Sequence, residues 1–352
     1  MTRLSNTEKQ HVKALYSQNV TRVSADSHSI ETLPCEVCGT TVSQPVFLLP
    51  GTAYRIVRCT ECGLGTLFPP PNLTEISAFY PPYYYGSDGK KFSGLVEAVV
   101  RIVGARHSRF LTRQIPPQGR VLDVGCGRGV ILKTLADAGL ETHGFEVNRD
   151  AIEGLDSQIQ AHVAASLVEA KFDAEYFDAI IFWHVLEHVS DPRKTLEEAH
   201  RILRPGGVLV VAVPNASSWQ ARITGSAWFH LDPPRHLFHF PLPALKQLLG
   251  SIGFQYQREY HFSLRQNPFG WIQSILNLIP WLPRNGLYSL LHRHGKQSSL
   301  ATLFSRWMRI QMYALFVLLA PLGLLLSVAA ALFRRGATIH VVFKRELNRG
   351  ED

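Results

Sequence analysis

Acidic residues are missing from one long stretch of this chain. Between Tyr260 and Arg345 there is no Asp or Glu, whereas ten Lys and Arg residues occur there, and most of the formal net charge of +8 arises from it. Such an excess asks for an anionic partner, either nucleic acid or a lipid surface. Internal repeats and low-complexity tracts are also absent, which removes solenoid and array architectures. Residues 1 to 34 are polar and lack the apolar h-region of a secretory signal, so they read as a tail or a loosely packed helix. No GxGxxG run occurs where a dinucleotide site would need one. The 352 residues leave room for a small module, one doubly wound domain and a substantial insertion.

The most informative run present is VLDVGCGRG at residues 121 to 129. Val121 to Val124 is an apolar run suited to a strand buried on both faces of a parallel sheet. Gly125, Gly127 and Gly129 allow a sharp turn and close approach to a ligand, and Val130 to Ala138 reads as the following helix. A second strand, Glu141 to Glu146, ends in an acid able to accept hydrogen bonds from both hydroxyls of a ribose. On its own, the glycine run has tight-turn residues as its alternative reading. Two further buried strands lie within FDAIIFWHVLEH at 177 to 188 and ILRPGGVLVVAVPN at 202 to 215.

These four motifs in order resemble the class I S-adenosylmethionine-dependent methyltransferases, in the branch that includes ubiquinone-biosynthesis O-methyltransferases. The resemblance covers roughly residues 93 to 265 plus the last strand, and speaks for fold and cofactor, not for substrate. It implies that Asp123, Gly125, Cys126 and Gly127 hold the methionine end of the cofactor and that Glu146 holds the ribose. Trp183 and His184 would flank the sulfonium. Where many relatives carry an Asp near the adenine, this chain has Ser166 as the corresponding contact.

Methyl transfer is an in-line displacement at a sulfonium, so positioning supplies most of the catalysis. His184, Glu187 and His188 form an HxxEH group after the fourth strand of this domain. At this loop some quinone O-methyltransferases hold a divalent ion; the plainer alternative is helix capping and solvation. A second cluster, WFHLDPPRHLFHF at 228 to 240, contains His230, Asp232, Arg235, His236 and His239. His236 is the preferred general base, with His184 and His188 as further catalytic candidates, against a reading in which the cluster satisfies itself within a structured loop. DPPR is not the NPPY-type motif of base N-methylating enzymes, because that motif follows the fourth strand, where this chain reads WHVL.

Cys35, Cys38, Cys59 and Cys62 form two CxxCG knuckles with the spacing of a four-thiolate structural zinc site. Two disulfides are the alternative. The stretch 35 to 86 resembles the zinc-binding amino-terminal module of some sugar C-methyltransferases, in which the module helps close the substrate cleft. By that resemblance Tyr80, Tyr83, Tyr84 and Tyr85 would line the cleft, unless they form a packing seam between the modules.

Met312 to Phe333 contains no charged residue, which makes it a transmembrane candidate by length. Residues 337 to 345 read as the last strand of the sheet, so a single crossing would leave that strand on the wrong side of a bilayer. Pro321 and Gly323 therefore suggest two short halves forming a re-entrant or interfacial hairpin. Leu300, Leu303, Phe304 and Trp307 share one helical face opposite Arg306 and Arg309, and WIQSILNLIPWL at 271 to 282 adds two Trp at headgroup depth. A buried hairpin within a dimer interface or an extra core is the alternative.

The expected architecture is thus α/β. It comprises a polar tail (1–34), a zinc ribbon (35–86), a Rossmann-like core (93–266), a basic apolar insertion (267–335) and the closing strand and tail (336–352). Residues 93 to 114 read as an amphipathic helix covering the sheet. The seven-stranded sheet should end in an antiparallel strand. Cofactors are S-adenosylmethionine and structural zinc; the partners are a membrane surface, met through residues 267 to 335 on its cytoplasmic side, and an amphiphilic or lipid-linked acceptor. A lipid-linked sugar or glycolipid is the leading acceptor, with a quinone next. The apolar context argues against nucleic acid, and a non-catalytic cofactor-binding scaffold is the remaining rival.

Overall fold

The computed structural model describes residues 20–23, 30–50, 52–79, 110–291 and 304–347. The tyrosines at 80 and 83 to 85 and most of the helix expected over 93 to 114 lie outside these residues. The amino-terminal part is a small antiparallel sheet of β1 (Thr21–Arg22), β2 (Ile30–Glu31), β3 (Val42–Leu48), β4 (Arg55–Cys59) and β5 (Gly65–Phe68), followed by helix α1 (Leu73–Ala78). β1, β2 and β4 pair with β3, and β4 pairs with β5. The stretch read as a polar tail therefore supplies two strands to this sheet.

The larger part begins with β6 (Arg120–Val124), α2 (Val130–Ala136), β7 (Glu141–Glu146), β8 (Gln160–Val163) and β9 (Phe177–Trp183). It continues through α3 (Pro192–Ile202), β10 (Leu203–Pro214), α4 (Trp219–Thr224), β11 (Phe238–His239), α5 (Leu242–Ile252) and β12 (Phe254–Tyr260). Helices α6 (Asn267–Leu276), α7 (Gly286–Leu291) and α8 (Arg306–Leu332) precede β13 (Thr338–Arg345). Seven strands form one sheet in the order β12-β13-β10-β9-β6-β7-β8. β6 to β10 run parallel, and β13 is antiparallel to both β10 and β12, as expected for the closing strand. β9 is buried at six consecutive positions, which is why it reads as a continuous apolar run and not as an alternating one. α3 starts cleanly: Asp191 accepts from the Lys194 amide, Pro192 takes the first turn, and Leu196, Ala199 and Ile202 face the core.

Two features join the sheets. β11, from the larger part, pairs antiparallel with β5 through Phe238 opposite Thr66 and His239 opposite Gly65. Arg193 at the start of α3 donates from Nη2 and Nε to the Glu36 carbonyl at 2.7 and 3.0 Å.

The apolar insertion differs from the expected hairpin. α8 is one continuous helix of 27 residues with Pro321 inside it, long and apolar enough by length and composition to cross a membrane. Proline removes one hydrogen bond without forcing a chain reversal. Both halves pack on the same neighbours: Met312 joins a core with Ile272, Leu276 and Leu287, and Gly323 lies against the Pro268 carbonyl and Ile272 so closely that a Cβ there would meet them at 2.9 and 3.1 Å. The outer face of α8 stays apolar and open, with Val317, Leu318, Leu325 and Leu332 among its exposed residues. Two local expectations are also corrected. Phe304 is buried ahead of the helix, which Ser305 caps, while Trp307 is 74% exposed, so the two do not share a face; Trp271 is core, and only Trp281 reaches solvent. Leu300 and Leu303 lie outside the described residues.

Candidate active site and cysteine cluster

The cofactor candidates meet at the carboxyl edge of β6, β7 and β9. At the end of β6 the chain turns through Gly125, where a Cβ would collide with the Val185 side chain, and through Gly127, also at positive φ. That turn brings the Gly127 amide to Glu146 Oε1 at 2.8 Å, while Val147 donates to Oε2 at 3.2 Å. Asp123 is 3% exposed and its Oδ1 is buried without a hydrogen-bond partner. Burial, reinforced by the charge of Glu146, pushes the Asp123 carboxyl well above its ordinary range, and burial also raises Glu146. Two desolvated carboxylates side by side favour a ligand that brings positive charge and hydroxyl donors. The sulfonium nucleoside of an amino acid has both.

Cys126 packs its Sγ against Gly144, where a Cβ would come within 2.6 Å, so a small residue is required on each side. Ser166, beyond the end of β8, is half-buried and exchanges hydrogen bonds with Glu169 in a capping turn. Trp183 ends β9, its ring 4.5 Å from that of His340. His184 follows in a left-handed conformation (φ 55°), with Nδ1 3.2 Å from Glu187 Oε1 and Nε2 buried without a partner.

The HxxEH group and the later histidine cluster converge. One donor atom from each of Glu187, His188 and His236 lies within 4.8 Å of the others. The His188 Nδ1 lies 3.0 Å from the Arg235 carbonyl and the His236 Nδ1 lies 2.8 Å from the His230 carbonyl. A carbonyl only accepts, so both Nδ1 atoms carry the proton and Nε2 becomes the donor a metal would use. Glu187 Oε2 is buried without a partner. Burial drives Glu187 upward, but the hydrogen bond from His184 is the largest effect opposing it, and the carboxyl is held at about 2. Burial lowers His236 to about 3, keeping it a neutral imidazole. Two imidazole nitrogens oriented by backbone carbonyls, together with a carboxylate, fit a divalent cation. The same lowering makes His236 a weak proton acceptor. His239 hydrogen-bonds the Leu231 carbonyl through Nε2, and Asp232 is held ionised by Arg235, its charge offsetting burial. Sequence spacing places Glu187 beside His188, but nothing in it brings His236 to them.

The four thiols of the ribbon also cluster. Cys35 and Cys62 Sγ are 3.5 Å apart, as are Cys38 and Cys59. That separation excludes a disulfide and approaches the ~3.8 Å edge of a tetrahedron with metal–sulfur bonds of about 2.3 Å. The Cys62 thiol, by its hydrogen bond, draws Cys35 down to about 5, so one thiolate is present at neutral pH. Gly39 and Gly63 both adopt φ 76° where the knuckles reverse, as CxxCG implies. The cluster is compatible with zinc.

Ribbon and site are linked through the backbone. Leu67 donates to the Leu237 carbonyl at 2.9 Å, and Leu237 in turn donates to the Glu187 carbonyl at 2.8 Å. Gly65 admits this contact: a Cβ there would lie 2.9 Å from that of His239.

Residues 97–259 match the family model described as a methyltransferase domain. The Ubiquinone biosynthesis O-methyltransferase of Maricaulis maris is 31% identical over 143 residues, which are 37% of this chain and 56% of that protein. The enzyme of the same name from Klebsiella pneumoniae is 27% identical over 192 residues, 51% of this chain and 76% of that protein. This chain thus spans little more than half the length of the first of these relatives. A SAM-dependent methyltransferase from Archaeoglobus fulgidus aligns at 17% identity and TM-score 0.41, over 69% of this chain and 93% of that one. The strand order and the glycine loop agree with that match, and support a class I S-adenosylmethionine-dependent methyltransferase domain over residues 97–259.

Proposed function

We propose that the protein transfers the methyl group of S-adenosylmethionine to a hydroxyl of an amphiphilic, quinone-type acceptor. The observation that carries the cofactor half of this reading is the buried pair Asp123 and Glu146 beneath the glycine loop, one oxygen unpartnered and the other carboxylate anchored by amides. Asp123 would meet the methionine ammonium and Glu146 a ribose hydroxyl, with Ser166 toward the adenine and Trp183 and His184 beside the sulfonium. The acceptor oxygen then attacks the methyl carbon in line, the carbon–sulfur bond breaks, the sulfonium becomes a neutral thioether and the hydroxyl proton departs. Holding oxygen, carbon and sulfur in line is the main task of the pocket.

Glu187, His188 and His236 support the quinone over the lipid-linked sugar that the sequence put first, as does the name of the relatives. A divalent cation held there would acidify a hydroxyl bound to it. The chain's own part is to aim His188 and His236 through the Arg235 and His230 carbonyls. Cys35, Cys38, Cys59 and Cys62 would hold structural zinc. Membrane association through the exposed face of α8 would bring an amphiphilic acceptor within reach.

The test is transfer of labelled methyl from S-adenosylmethionine to a catechol-ring quinone precursor, with and without a chelator. Transfer that stops on chelation and in Glu187→Gln supports the reading. Cofactor binding with label passing only to lipid-linked sugar, metal or not, would overturn the acceptor.

A further inference from the structure

We propose that the seam between the ribbon and the methyltransferase domain is a binding site for a phosphate- or diphosphate-bearing ligand. This goes beyond methyl transfer and does not rest on it. A cavity of about 650 Å³ opens there, a volume suited to a small organic ligand. Four arginines line it, each from a different part of the chain: Arg22 in β1, Arg58 in β4, Arg222 in α4 and Arg335 just after α8. No Asp or Glu is among its lining residues.

Several other arginines of this protein are paired with carboxylates, as Arg201 is with Glu198 at 2.7 Å and Arg345 with Glu175 at 2.9 Å. The four at the seam have no carboxylate partner among the described residues. Four exposed arginines from four elements give the rim a positive charge, and their planar forks suit phosphate oxygens. The inner wall is of another kind, with Trp228, Leu231, Ile56 and the backbone of Gly63 and Gly65. His239 also lines it, 5% exposed, with Nδ1 buried and lacking a hydrogen-bond partner. Because Nε2 meets the Leu231 carbonyl, Nδ1 carries the lone pair and can accept a hydroxyl from the body of the ligand. Charged rim and apolar floor together describe an organic phosphate better than a bare ion.

The phosphate has two sources, a soluble phosphorylated molecule or a phospholipid headgroup, and Arg335 stands three residues beyond the apolar α8. Calorimetric titration of full-length protein with inorganic pyrophosphate tests the site, beside the double variant Arg58→Gln/Arg222→Gln. S-adenosylmethionine is titrated into both proteins, so that loss of the fold or of the methyltransferase reading is seen separately. The expected result is pyrophosphate binding that weakens with salt and falls roughly tenfold or more in the double variant, as loss of two charge-assisted contacts requires, with cofactor binding unchanged. Should the double variant misfold, Arg335→Gln alone must still weaken pyrophosphate. Equal binding by wild type and variants, or none by wild type, would overturn the proposal. Phosphatidylcholine vesicles containing phosphatidic acid identify the source: displacement of bound pyrophosphate assigns the site to headgroups, and its retention assigns it to a soluble phosphate.

Discussion

Replacing Glu146 by Ala separates the cofactor's sugar contact from the rest of the site. The carboxylate is 8% exposed and already accepts from the amides of Gly127 at 2.8 Å and Val147 at 3.2 Å. A carboxylate has about four acceptor positions, and with the Asn148 amide also bonded to Glu146 one is left for a ribose hydroxyl. Hydrogen bonds to a charged group contribute about 1.5 to 3 kcal/mol, which sets the expected weakening of S-adenosylmethionine at roughly ten- to 150-fold. A second effect accompanies it. Asp123 is raised by its own burial and then by the charge of Glu146, so removing that charge lowers the Asp123 pKa. Asp123 must be ionised to face an ammonium group. Wild-type binding therefore releases a proton and weakens as pH falls below the raised value, whereas in Glu146→Ala that weakening begins at lower pH. Calorimetry over a pH series in buffers of differing ionisation enthalpy reads the affinity and the proton count together. An affinity within twofold of wild type would refute the ribose assignment; an unmoved pH midpoint would refute the coupling of the two carboxylates.

Three further outcomes follow from the geometry. Metal analysis should find one zinc per chain held by the cysteine cluster, and Cys59→Ser should lower both the zinc content and the melting temperature; full stability without zinc would dismiss a structural role. His230 and His236 are each held at about 3 by burial, the folded state preferring them neutral, so the unfolded chain binds up to about two more protons as pH falls from roughly 6.5 toward 3. Melting temperature should then decline across that window and recover as pH rises, and a flat profile would show that these rings are not buried neutral. Leu318→Glu/Leu325→Glu on the open face of α8 should reduce flotation with phospholipid vesicles while leaving cofactor binding intact; flotation equal to wild type would remove the helix as the membrane contact.

The core strands were legible because burial on both faces leaves a simple signature. Residues 121–124, 141–146, 177–183 and 338–345 all fall in or beside runs whose apolar or glycine-turn character carries their role. The knuckles were equally plain, since thiolate spacing and the glycine after each pair are local properties. Convergence was not legible. Nothing local sets His236 beside Glu187, 49 positions earlier, or pairs Gly65 with His239. Local reasoning misled at Pro321, a frequent breaker overridden because both halves of α8 find the same helices to pack on. The four arginines of the seam are scattered over more than 300 residues and form a group only once the sheets are joined.

The two-residue strand β11 carries a consequence for trimming the chain. A fragment starting at residue 93 would keep every cofactor candidate yet leave Leu237, Phe238 and His239 as an unpaired edge, open to pairing with another chain. The carbonyl of Glu187 is tied to that edge, so the fragment would keep the glycine loop while the corner of Glu187, His188 and His236 lost a support. The smallest unit that keeps this edge paired is therefore longer than residues 97–259, and grafting this ribbon onto a relative would require moving residues 228 to 240 with it.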